Sequence, residues 1–443
     1  MLPINKKINC GVIMNRRYSV KKLMASDGNR FCMILDSKNG LPLYYQNIYL
    51  SLLYKQKNKS FNTVLRNAYT LIAFENYLIE SNINLIERIR SKTFLSFTEI
   101  YSLSEQLRVK NKKQKVIDIK EYKKINQENL HYRLTVISSY ICWIYESYFS
   151  TTIYETNIIL KSVNLLFRKH KPKLNSQLYL NNDFKSLEKE SLDILLQCIE
   201  PESQYNPFVD ISCRKRNQLI ILILQETGMR GGELLNLKIS DFNKEKRYLK
   251  VCKRVNDPAD PRVFQPLVKT FERELNISKK LSMQISSYID NDRSFYSKSL
   301  NHNYLFITQK SGPTEGFPLS ISAYHKVIKQ ISRIEFNGVS FQNFTGHCLR
   351  HTWNYIYSLK YIGVTDQYRL TQLDRIRCVR MGWKMNSKTA LIYNNRYISE
   401  ETLKAFEEAD LVNNKIINKI EVEIDESINV RKLLGIKGKR QQK

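Results

Sequence analysis

Apolar residues recur at steps of three and four over two long stretches. Val64, Ala68, Leu71, Phe74 and Leu78 mark one helical face, opening after Ser60 or Asn62. Leu130, Leu134, Ile137, Ile141, Ile144 and Tyr148 mark a second. A further amphipathic run spans Leu187 to Ile199, and the unbroken Leu219–Leu224 predicts a buried helix. Strand-like runs are short. Arg30–Leu35 and Leu41–Tyr45, flanking the turn residues Asp36–Gly40, predict a hairpin. Tyr248–Cys252 and Phe264–Ile277 predict short strands parted by the Pro/Asp turn Asn256–Arg262, and the chain is helical in pattern onward to about 425. The fold class is therefore mainly α with a small antiparallel hairpin or sheet.

The breaks between these runs suggest an organisation. Residues 1–55 read as a basic N-terminal arm with the hairpin, and 56–165 as a helical domain interrupted by the basic loop Arg108–Lys115. Residues 166–184, containing Arg168–Lys173, read as a basic linker. A second domain occupies 185–425, then a basic tail 426–443. The arm carries Lys6, Lys7, Arg16, Arg17, Lys21, Lys22 and Arg30 with few large apolar residues. It is either a disordered tail or a segment that orders on a polyanion.

Charge narrows the class of partner. Lys plus Arg number 71 against 42 Asp plus Glu, a formal charge of +29 over 443 residues. Such an excess draws phosphate regardless of sequence and points to nucleic acid. Eight cysteines stand singly, with no pair at zinc or redox spacing. No signal-peptide core and no membrane-length apolar run is present, so the expected location is the cytoplasm, in association with the nucleoid, with no membrane partner.

Three segments carry residues suited to phosphate chemistry. Thr227-Gly-Met-Arg-Gly-Gly-Glu-Leu-Leu-Asn-Leu237 places Arg230 at an expected helix start, with Glu233 three residues on and able to orient its guanidinium. Thr345-Gly-His-Cys-Leu-Arg-His-Thr-Trp353 puts His347 and Arg350 in the opening turns of a helix for which Thr345 is the expected cap. His351 and Trp353 read as packing residues. The third segment is Arg380-Met-Gly-Trp-Lys-Met-Asn-Ser-Lys-Thr-Ala-Leu-Ile-Tyr393. Cutting a phosphodiester by transesterification needs forked cations for the phosphorane-like transition state, a nucleophile and a proton for the leaving 5′-oxygen.

In this order the three segments resemble the active-site boxes of the tyrosine recombinases, the phage-integrase family. The resemblance covers roughly 185–400 by motif, and 60–150 only through helical pattern and order. It implies an N-terminal helical core-binding (SAM-like) domain and a mostly helical catalytic domain with a small β-hairpin. It assigns Arg230, His347 and Arg350 to the scissile phosphate. Trp383 takes the position of a phosphate-facing hydrogen-bond donor, and Tyr393 that of the nucleophile, with Tyr397 the alternative among the chain's 27 tyrosines. The family's proton-donating lysine lies in the hairpin between the arginine boxes. Lys269 best matches its turn and Lys253 is the alternative. A phenol with pKa near 10 is about one part in a thousand ionised at neutral pH, a deficit of roughly 4 kcal/mol that two converging guanidinia offset.

The resemblance implies site-specific recombination of duplex DNA through a 3′-phosphotyrosine and a Holliday junction, for a mobile element. The partners would be inverted-repeat core sites, a homotetramer on synapsed DNA and a directionality factor, with neither cofactor nor metal. The rival readings are a type IB topoisomerase or telomere resolvase, and a DNA-binding partner or regulator without activity.

Overall fold

The computed structural model describes residues 17–57, 59–109, 125–149, 153–173, 185–385 and 389–433, with the side chains of 153–155, 389–395 and 427–433 excepted. The chain divides into two compact units. One comprises Met1–Ser176 with Val255–Gln265, the other Gln177–Arg254 with Pro266–Lys443. The arm before residue 17, most of the basic loop beyond Arg108, the linker after Lys173 and the tail beyond 433 lie outside the described residues.

The first unit opens with the antiparallel pair β1 (Tyr18–Met24) and β2 (Arg30–Asp36), in register from Tyr18↔Asp36 to Met24↔Arg30. Helices α1 (Tyr44–Lys55), α2 (Phe61–Glu80), α3 (Leu85–Arg90), α4 (Phe97–Arg108), α5 (Gln127–Tyr148) and α6 (Ile153–His170) follow. The two predicted helical faces are α2 and α5. Leu71, Phe74, Leu134, Ile137 and Ile144 are fully buried between them and their neighbours. Each such side chain stabilises the unit by about 1.5–3 kcal/mol relative to exposure. Local capping fixes where helices begin: Ser96 and Glu99 close a reciprocal capping box on α4, and Asn126 caps α5.

The predicted hairpin is half right. Arg30–Leu35 is a strand, but its partner is β1, and Leu41–Tyr45 runs instead into α1 after a single bridge, Leu35↔Pro42. The Asn47 side chain explains the difference. Its Oδ1 accepts from the Ile34 amide and its Nδ2 donates to the Ile34 carbonyl, supplying what a second strand would have supplied. Arg30 is not a phosphate-facing arm residue. It is 1% exposed, and its guanidinium donates to the carbonyls of Gly28, Asp260 and Arg262 and to Gln265 Oε1. The Asn256–Arg262 turn thus belongs to the first unit through a buried guanidinium.

The second unit contains α7 (Lys189–Cys198), α8 (Ile211–Thr227), α9 (Gly231–Leu235), a three-stranded antiparallel sheet of β3 (Phe242–Asn243), β4 (Tyr248–Val251) and β5 (Arg273–Asn276), and α10 (Lys279–Ser287). Then come α11 (Ile321–Ile331), the short pair β6 (Glu335–Phe336) and β7 (Val339–Ser340), α12 (Cys348–Ser358), α13 (Gln367–Met381) and the long α14 (Thr389–Leu433). Its core is built on α8, whose Leu219, Ile220, Ile223 and Leu224 meet Met229, Leu234, Leu249, Leu275, Ile331 and Leu349. The expected strand over Phe264–Ile277 shrinks to β5. Pro266 has no N–H, and the Phe271 amide is taken by the Gly382 carbonyl rather than a strand. No described helix is long and apolar enough to cross a membrane.

Candidate active site

Helix α8 ends at Gly228 in a left-handed conformation (φ +65°), its amide returning to the Leu224 carbonyl. A side chain there would meet Trp353 Cγ at 2.9 Å and Met381 Cε at 3.0 Å. Only glycine lets all three motif segments close on this point. The buried Met229 then anchors the turn that presents Arg230 as the N-cap residue of α9.

Arg350 joins the segments from the opposite side. It is fully buried, and its Nη1 donates to the Gly228 carbonyl (2.8 Å) and its Nη2 to the Met381 carbonyl (3.0 Å). The guanidinium also lies 5.4 Å from the Trp383 ring centre, a cation–π contact. One side chain thereby binds backbone from the first and third motifs while standing in the second. Arg230 is the more solvent-facing cation, with a quarter of its side chain exposed, and its Nη1 makes no hydrogen bond among the described residues.

Glu233 pairs with the Arg230 guanidinium as its spacing predicts, 3.5 Å from Nη1. It also accepts hydrogen bonds from the Arg230 amide (3.1 Å), Thr270 Oγ1 (2.8 Å) and Arg273 Nη2 (2.7 Å). A helix start leaves orphan N–H groups, and a carboxylate three residues on reaches one of them. Burial pushes the Glu233 pKa up, but the Arg273 and Arg350 cations and the bonds from Arg273 and Thr270 outweigh it. The net direction is down, and the group is an anion.

His347 is the N-cap residue of α12, displacing Thr345 from that expected role. The Thr345 hydroxyl instead accepts from the His347 amide (3.4 Å). The imidazole is solvent-accessible. Partial desolvation, then the Arg230, Arg350 and Lys185 cations, hold its pKa below the ordinary value, so it is neutral at pH 7. His351 packs more deeply, and its pKa is pushed down to about 4 by burial and then by His347 and Lys185. Trp353 stacks on Tyr357 (5.2 Å between centroids), as expected of a packing residue.

Of the remaining site residues, Trp383 is buried against Cys378, Met381 and Trp353. Lys269 is exposed and directly precedes Thr270, the hydroxyl bound to Glu233. Lys253 is also exposed, its ammonium 5.4 Å over the Phe271 ring. Tyr393 lies in the opening turns of α14, and its side chain lies outside the described ones. The next turn is fastened to this same unit. Arg396 sits over the Tyr355 ring of α12 (4.2 Å) and pairs with Glu400, which accepts from the Tyr355 hydroxyl. Tyr397 is half-buried, and burial followed by Glu401 raises its pKa.

Sequence reasoning missed Arg273, Thr270 and Lys185. Arg273 left a trace: it alternates with Leu275 on the inward row of a strand whose other residues face out, an unusual place for a charge.

Residues 199–364 match the Phage integrase family. This matched segment is less than half of the chain. It contains Arg230, His347 and Arg350, while Trp383 and Tyr393 come after it. Transposase A of transposon Tn554 from Staphylococcus aureus is 30% identical over 145 residues, 32% of this chain and 36% of the relative. The tyrosine recombinase XerD of Halalkalibacterium halodurans is 26% identical over 169 residues, 38% of this chain and 46% of the relative. The chain thus spans less than half the length of these relatives. Among solved structures, the Tn1549 transposon integrase in complex with a circular intermediate DNA aligns over 81% of this chain and 99% of its own, at 14% identity and a TM-score of 0.47.

Proposed function

We propose that the protein is a site-specific DNA recombinase of a mobile element that cuts and rejoins duplex DNA through a tyrosine. The observation that carries this reading is the Arg350 guanidinium bound to the Gly228 carbonyl, two residues from Arg230, beside a histidine whose pKa both arginines depress. Two forked cations and a neutral imidazole around one point suit a pentacoordinate phosphorus.

In this reading Tyr393 Oη attacks the scissile phosphorus as His347 accepts its proton. A P–O bond to tyrosine forms and the P–O5′ bond breaks. Lys269, with Lys253 the alternative, gives a proton to the departing 5′-oxygen. The 5′-hydroxyl of a second strand then attacks the 3′-phosphotyrosine in the reverse sense, building a Holliday junction. The phosphotyrosine keeps the phosphodiester energy, so no nucleotide hydrolysis enters the balance. Trp383 packs on Arg350 and holds its plane. Glu233 caps α9 and fixes the Arg230 backbone.

The partners proposed are core sites in inverted repeat, a homotetramer on two synapsed duplexes and a directionality factor. The likeness to the Tn554 transposase favours a transposon as the element. Beyond the Arg396–Glu400 clasp, α14 exposes Leu403, Phe406, Ile416, Ile420 and Ile424, a face suited to docking on a neighbouring protomer. The test is covalent capture on a nicked suicide substrate. Tyr393→Phe should abolish the protein–DNA adduct and leave binding within about threefold. An adduct that survives in Tyr393→Phe but is lost in Tyr397→Phe would reassign the nucleophile.

A further inference from the structure

The loop between Pro266 and β5 is held at three points. The Leu267 carbonyl lies so close to Gly232 that a side chain there would meet it at 2.9 Å. Thr270 Oγ1 donates to Glu233 Oε1 (2.8 Å), and the Phe271 amide donates to the Gly382 carbonyl (3.0 Å). Lys269 stands exposed between the first hold and the second. A long flexible side chain on a fixed base loses less entropy on reaching a ligand than one on a loose loop.

One buried guanidinium organises these holds. Arg273, 8% exposed, donates from Nη2 to Glu233 Oε2 (2.7 Å), from Nη1 to Thr270 Oγ1 (2.9 Å) and to the Phe271 carbonyl (3.3 Å), and from Nε to the Arg380 carbonyl (2.7 Å). A side chain at Gly382 would meet Arg273 Nη1 at 2.8 Å, Thr270 Cβ at 2.8 Å and the Phe271 carbonyl at 2.9 Å. Arg273 therefore ties the first motif, the lysine loop and the third motif into one body.

We propose that Arg273, acting through Thr270, is the positioning residue that aims Lys269 at the leaving 5′-oxygen. This rests on the reading of Lys269 as proton donor. A substrate whose bridging 5′-oxygen is replaced by sulfur separates the roles. When the tyrosine oxygen attacks and the P–S bond breaks, the group expelled is a thiolate. Its conjugate acid has a pKa near 8.5, against about 15.7 for water-like hydroxyls, so it departs without a proton.

The experiment uses the full chain on matched suicide substrates, phosphodiester and 5′-bridging phosphorothiolate, with Lys269→Ala, Thr270→Val and Arg273→Met. Lys269→Ala should cut more slowly by about 10²–10⁴ on the phosphodiester and recover on the phosphorothiolate. Thr270→Val keeps the Arg273–Glu233 pair and removes the hydroxyl. It should lose at least about tenfold on the phosphodiester and return to within about threefold on the phosphorothiolate, with Arg273→Met behaving likewise. Thr270→Val carries the test if Arg273→Met does not fold. A Lys269→Ala variant that stays slow on both substrates overturns the donor reading, and the proposal with it. If Lys269→Ala recovers but Thr270→Val is impaired equally on both substrates, or on neither, the positioning proposal alone fails.

Discussion

Glu233→Gln isolates the charge at the centre of the site while nearly keeping its shape. The carboxylate is fully buried and serves the Arg230 amide, Thr270 Oγ1 and Arg273 Nη2. Removing one member of a buried ion pair costs about 3–5 kcal/mol, because the other charge stays desolvated. Glutamine keeps one acceptor oxygen but turns an NH2 toward the remaining donors, so the expected loss is about 3 kcal/mol. With two units in the chain, a single unfolding midpoint does not report on this one. Hydrogen exchange resolved to the peptides spanning 230–237 and 270–276 does. Opening free energies there should fall by about 3 kcal/mol, and those of α2 and α5 should not move. The pH dependence has a definite sign. The folded pKa of Glu233 is depressed, so its stabilisation is complete above the unfolded value of about 4.3 and is lost as pH falls through the lower folded value. The gap between wild type and variant should be full at pH 7 and narrow below about pH 4. A gap under about 0.5 kcal/mol at pH 7, or one that widens on acidification, would overturn this electrostatic picture.

Gly228→Ala forces a side chain into the left-handed region against Trp353 and Met381. The expected cost is about 2–4 kcal/mol, read by hydrogen exchange in the peptides of α8 and α12, and a neutral result would show that α12 and α13 yield at this point. Arg30→Ala strips donors from three buried carbonyls. It should destabilise the first unit by about 3 kcal/mol, seen as lost amide protection in β2 and in 255–265. His347 has a lowered pKa, so as a base it is already neutral at pH 7. The cleavage rate should stay level down to about pH 6.5 and fall only below it, and His347→Gln should lack that acid limb. A limb centred above about pH 6.5 would contradict the assignment.

The helical faces of α2 and α5 were legible because burial there follows the period of a single element. The arginine boxes were legible because Arg230 with Glu233, and His347 with Arg350, stand within one helical turn. Other features are set by contacts between distant residues. Asn47 closes the edge of β2, so a stretch that reads as strand keeps one bridge and then runs into α1. Arg30 looks in sequence like one more cation of a basic arm, yet its acceptors on Asp260, Arg262 and Gln265 lie 230 to 235 residues away along the chain. Spacing pairs Glu233 with the nearest arginine, although its buried partner is Arg273 on a strand. A charge that is buried and satisfied by carbonyls carries no local pattern to announce it.

The proposed chemistry stands on two arginines and His347 surrounding a phosphate that Tyr393 attacks, and mapping the covalent adduct decides whether they do. The protein is trapped on a nicked core-site duplex and digested, and the nucleotide-bearing peptide is sequenced by mass spectrometry. The expected product is a 3′-nucleotide ester on Tyr393, formed by wild type and lost in Arg350→Ala. An adduct on another residue, or one that persists undiminished without Arg350, would contradict this mechanism.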